Sequence, residues 1–69
     1  MSPYVFINNI FRADAAKKGG VVRRSKKDVE TIASYAELEK EVKRRNFHLL
    51  EAGGQYVIVC TTAKLTVHF

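Results

Sequence analysis

The sequence predicts an α+β fold: one main helix on an antiparallel sheet. Three observations carry this. The run Phe47–Phe69 holds two blocks of strand formers around Gly53-Gly54 and a third after Ala63-Lys64. Such blocks separated by short turns read as a meander. Ser34-Tyr35-Ala36-Glu37 has the spacing of a helix-opening capping box. Asn46 stands where a helix would stop.

The main helix is expected over about 35–45, after a short helical turn at 27–33. Val29, Ala33 and Ala36 fall on one side at 3.6 residues per turn, whereas Leu38 and Val42 fall nearly opposite, so one continuous helix would have to bury both sides. A break at Ser34 removes the conflict. The Ser34 hydroxyl is expected to take the Glu37 amide, and the Glu37 carboxylate to return to the Ser34 amide. Glutamates 37, 39 and 41 precede Lys43, Arg44 and Arg45, the order the helix dipole favours. Glu39–Lys43 and Glu41–Arg45 are i,i+4 pairs, and Tyr35, Leu38 and Val42 form the stripe expected to dock.

The meander comprises strands at about 47–52, 55–61 and 65–69. A two-residue turn at Gly53-Gly54 sets Ala52 against Gln55, Glu51 against Tyr56, Leu50 against Val57, Leu49 against Ile58 and His48 against Val59. Phe47, Leu49, Tyr56, Ile58, Cys60, Leu65, Val67 and Phe69 then share the core face. The opposite face carries His48, Leu50, Val57 and Val59, too apolar for a sheet side left in water, and is expected to be an interface. Its cover is either the N-terminal segment, through Phe6, Ile10 or Phe11, or a second copy.

Residues 4–8 and 21–24 read as one or two further strands. Residues 1–27 then form either a long-looped hairpin or a basic arm, and 28–69 the helix and meander, within a single domain spanning 1–69. A chain of 69 residues exposes much of its surface, and its one cysteine, Cys60, excludes an internal disulfide. That favours association as a homodimer. A lone thiol suits a reducing compartment, the N-terminus lacks the order of a signal peptide, and the longest apolar run is Tyr56–Cys60, so a cytoplasmic protein without membrane contact is expected.

Net charge is +5, and its placement is uneven. Residues 1–27 carry Arg12, Lys17, Lys18, Arg23, Arg24, Lys26 and Lys27 against Asp14 alone, a net +6. The remaining two thirds of the chain sum to −1. Closely spaced cations suit phosphate, so Lys17, Lys18, Arg23, Arg24, Lys26 and Lys27 are the candidate nucleic-acid contacts; a solvated, solubilising surface is the competing reading.

No catalytic constellation stands out. His48 and His68 share a predicted face with α-carbons ~12 Å apart, too far to share a metal easily. Cys60 reads as a small core hydrophobe. No glycine-rich loop leads from strand to helix with a lysine at the offset a phosphate cradle needs. No metal or cofactor is expected, and the chain reads as a non-enzymatic binding protein, with a protein-interaction or regulatory module as the alternative.

The order helix–strand–strand–strand over 34–69 resembles the front of the double-stranded-RNA-binding fold, which small bacterial ribonuclease toxins share. Those toxins have Gly-Ser-His in the middle strand, where this sequence reads Gly54-Gln55-Tyr56, and no closing helix follows in residues 1–69. The resemblance therefore assigns no residue a role.

Overall fold

The computed structural model describes all residues, 1–69. Four helices and three strands follow one another as α1 (Pro3–Arg12), α2 (Asp14–Lys17), β1 (Val21–Ser25), α3 (Lys26–Ile32), α4 (Tyr35–Arg44), β2 (His48–Ala52) and β3 (Gln55–Val59). The fold is α+β, with a three-stranded antiparallel sheet in the order β1-β3-β2.

The hairpin has the expected register, from Ala52↔Gln55 to His48↔Val59. Gly53 and Gly54 have φ of 56° and 74°, which a turn matching the strands' twist requires and a side chain disfavours. Helix α4 also begins and ends at the expected signals. Ser34 Oγ accepts from Glu37 N at 3.1 Å. The return bond differs from the expected one: Ser34 Oγ also reaches Glu37 Oε1 at 3.4 Å, so the carboxylate caps the hydroxyl and not the Ser34 amide. At the other end Asn46 takes φ 59°. Its N–H donates to Lys43 O, and Phe47 N–H to Val42 O, each at 3.0 Å. These two bonds satisfy carbonyls the helix end would otherwise leave open. Both i,i+4 pairs form, Lys43–Glu39 at 3.7 Å and Arg45–Glu41 at 3.6 Å.

Two expected strands are absent. Residues 4–8 lie inside α1. Ser2 Oγ accepts from Val5 N at 3.1 Å and Pro3 occupies the first turn, so a cap and a proline together open a helix there. Ile7, Ile10 and Phe11, spaced i, i+3, i+4, are its buried side. Residues 65–69 form no strand. The place beside β3 that they were expected to fill belongs to β1, which pairs Val22 with Ile58 and Arg24 with Tyr56. Residues 21–24 are thus a strand, paired with β3 and not with 4–8. The N-terminal third is neither a hairpin nor an extended arm.

All helices contribute to one core on one side of the sheet. Ile7, Ile10 and Phe11 of α1, Ala16 of α2, Val29 of α3, and Leu38 and Val42 of α4 are buried together with Val22, Tyr56, Ile58 and Cys60. Phe47 and Leu49 pack at its margin, Phe47 with its ring 6.2 Å from that of Phe11. Of the expected core, Val67 is 70% exposed and Phe69 lies fully in solvent, while Tyr35 is half exposed. Phe6, Ile10 and Phe11 join this same core and do not cover the outer sheet face. Helices α3 and α4 are joined by Ala33 and Ser34 alone, so the two stand as a tandem directly before the β2–β3 hairpin.

Candidate nucleic-acid interface

The six candidate cations are strung along β1 and its two flanks. Lys17 ends α2 and Lys18 caps it, both exposed. Arg23 stands on the outer sheet face opposite Val57, whereas Arg24 opposes Tyr56 on the helix side. Lys26 and Lys27 open α3, whose N-cap Ser25 accepts from Asp28 N at 3.4 Å. The five-residue strand that lies between the two lysine pairs is itself ~16 Å long. That exceeds the Debye length at physiological salt, so the cations do not act as one focused point. It matches the axial rise of about five base pairs of duplex DNA.

Two of the six are engaged within the fold. Lys26 Nζ contacts Glu51 Oε2 at 3.0 Å and lies 5.8 Å from the centre of the Tyr56 ring. Its backbone N–H donates to Gly54 O at 3.0 Å. Lys26 therefore fastens the hairpin to the start of α3, a role its place in a charge run did not announce. The hydrogen bond with Glu51, then its charge, hold the Lys26 ammonium above the ordinary lysine range. Arg24 Nη1 donates to Arg23 O at 2.7 Å. Lys17, Lys18, Arg23 and Lys27 remain exposed and make no ion pair.

Of the 12 Lys and Arg residues, ion pairs engage Lys26, Lys43, Arg44 and Arg45, leaving eight; of the seven acids they engage Glu39, Glu41 and Glu51, leaving four. On α4, Lys40 is exposed and unpaired, whereas Arg44 grips Glu41 through Nε and Nη2. That grip, chiefly the hydrogen bond, holds the Glu41 carboxyl below the ordinary range.

Beside Lys26 lies an aromatic–carboxylate cluster not visible in the sequence. Tyr56 Oη donates to Glu30 Oε1 at 2.8 Å, and Tyr35 Oη to Glu39 Oε2 at 2.8 Å, with the two rings 5.5 Å apart. Burial, then the Glu30 hydrogen bond, push the Tyr56 phenol up to about 12. Burial likewise raises the Cys60 thiol. Both stay protonated at neutral pH, which suits packing and not nucleophilic attack. At the far end of α4, the Arg45 guanidinium lies 4.3 Å from the centre of the Phe11 ring.

The candidate interface residues His48, Leu50, Val57 and Val59 do share the outer sheet face, with Val21 and Arg23 beside them. Leu50 is 40% and Val21 46% exposed, and Val57 and Val59 are half-buried. His48 turns to the C-terminal segment, its Nε2 donating to Ala63 O at 2.6 Å. His68 lies in that segment, exposed. No group of three or more His, Cys, Asp or Glu side chains is placed to hold a metal ion. One shallow cleft of about 150 Å³ lies between α1 and α4 and a second, of about 290 Å³, beside α4 and β2. No helix is long and apolar enough to cross a membrane.

No protein-family model matches the chain, and neither a curated protein nor a solved structure does.

Proposed function

We propose that this chain is a non-enzymatic nucleic-acid-binding module that docks on duplex DNA. The observation that carries the reading is the α3–α4 tandem: two capped helices joined by two residues, carrying unpaired Lys27 and Lys40. A helix-turn-helix places its second helix in the major groove, with the residues of that helix's first turns at the base edges. In α4 the exposed side chains there are Tyr35, Ala36, Glu37 and Lys40. B-form DNA admits a helix in its major groove, whereas the deep, narrow groove of duplex RNA does not. The unpaired Lys17, Lys18 and Lys27 supply phosphate contacts; Arg23 stands on the other side of the sheet, and Lys26 holds the hairpin.

A gel-shift titration of a DNA duplex across salt tests this. Binding should weaken steeply with salt, and converting Lys17, Lys18 and Lys27 together to Ala should flatten the log–log slope by about 2.7 if each meets one phosphate. Absence of binding at low salt, or an unchanged slope in the variant, refutes it.

A second reading rests on the outer sheet face. There Leu50 and Val21 flank Val57 and Val59 with no helix over them, which suits a protein partner. Val57→Lys should then lower the sedimenting mass while the far-ultraviolet spectrum stays unchanged. Mass that does not move removes this reading.

A further inference from the structure

The two edges of the sheet are not alike. In an antiparallel ladder, alternate residues turn their N–H and C=O groups away from the partner strand. On β1, Cys60 N–H donates to Gly20 O, so the outward groups belong to Val21, Arg23 and Ser25. The Arg23 carbonyl already accepts from Arg24 Nη1, and two arginines crowd that edge. On β2 the outward residues are Leu49 and Glu51. No backbone or side-chain group outside the sheet bonds to their main chain. Such an open edge is a template for another strand.

The space beside that edge is shaped for apolar side chains. The cleft of about 290 Å³ is lined by Tyr35, Val42, Phe47, Leu49 and Leu65, with Glu39 and Lys43 at its polar side. Leu65, one of those lining residues, opens a stretch outside any helix that looks like a strand and is not paired as one. Leu65-Thr66-Val67-His68-Phe69 alternates apolar and polar residues, and its backbone bonds to no other backbone group. Val67 and Phe69 are left in solvent.

We propose that Leu65–Phe69 of a second copy adds to the free edge of β2, with Leu65, Val67 and Phe69 turned to the cleft, and that the exchange is reciprocal about a two-fold axis. Direction decides for the second copy over the chain's own segment. The contact between His48 Nε2 and Ala63 O brings the chain's own segment to β2 at its His48 end. From there it can run only parallel to β2, the weaker ladder. A neighbour's segment enters from the Ala52 end and pairs antiparallel. Two-fold exchange forms the same ladder twice and covers the apolar side chains that a 69-residue chain leaves exposed. Tyr35 lies both in this cleft and on the exposed start of α4, so strand exchange and DNA docking share that side chain; the outer sheet face takes no part, and the second reading above predicts the opposite outcome for Val57→Lys.

Sedimentation equilibrium of the full chain and two variants tests it. The full chain should sediment at twice its 7.8 kDa. Val67→Pro removes a ladder donor from a segment that takes no part in the core, and should give the monomer mass while the helical far-ultraviolet signal is retained. Val57→Lys, on the outer face and away from the edge, should remain dimeric. A full chain of monomer mass overturns the proposal. So does a dimeric Val67→Pro, or a Val57→Lys that falls to monomer.

Discussion

Tyr56 sits where three elements meet. Its ring is buried between Tyr35 of α4 and Lys26 of α3, and its hydroxyl reaches Glu30 on the next turn of α3. The phenol is raised from its ordinary value of 10.0 to about 12, first by burial and then by Glu30. A folded-state pKa above the unfolded one means that the contribution is complete below about pH 10 and is lost as pH rises through about 12. Lys26 shifts in the same direction, so the alkaline loss of stability belongs to both. Tyr56→Phe separates them. At neutral pH it should cost no more than about 1 kcal/mol, because Glu30 is exposed and regains water. Above pH 10 it should flatten the fall of melting temperature with pH. Thermal melts of parent and variant check this; parallel curves across that range would show that Tyr56 does not titrate through folding.

At the scale of elements, legibility followed the range of the signals. The β2–β3 register was readable because two glycines fix a turn and the turn fixes every pair after it. Helix α4 was readable because Ser34, Glu37 and Asn46 mark its ends within a few residues. Helix α1 had equally local signals, Ser2-Pro3 and the spacing of Ile7, Ile10 and Phe11, but Tyr4, Val5, Phe6 and Ile7 have the composition of a strand. Helical spacing won over β-propensity because it gives α1 a side to bury in the core. The third strand is illegible locally for a different reason. Val21–Ser25 and Leu65–Phe69 are both short strand-like runs, and which of them lies beside β3 is a long-range choice that no local signal makes. That choice also hid the site. Only once Arg24 opposes Tyr56 does Ser25 lead directly into α3 beside the hairpin, bringing Lys26 to Glu51. The exposed Lys17, Lys18, Arg23 and Lys27 were legible as cations; that Lys26 is held within the fold was not.

For the whole molecule the decisive quantity is how little is buried. Eleven of 69 residues form the core, which takes a side chain from every helix, and Ile58 lies fully buried within it at the middle of the sheet. A domain of this size holds only about 3–5 kcal/mol in reserve. Removing three buried carbons from a site that cannot collapse costs about 2–5 kcal/mol. Ile58→Ala should therefore lower the melting temperature by roughly 10 °C or more, or leave the chain unfolded at ambient temperature. Val59→Ala, one residue on but on the outer face, should cost under about 1.5 kcal/mol. The pair reads out which side of the sheet the helices occupy, since a strand's neighbours face opposite ways. Equal losses at 58 and 59 would mean that the helices do not stand on one side alone. The proposed strand exchange predicts a further signature, because a dimer's melting temperature rises with protein concentration. In Ile58→Ala that rise should be steeper in consequence than in the parent: at high concentration the exchanged ladders restore a folded population that dilution removes, and circular dichroism across a dilution series measures it.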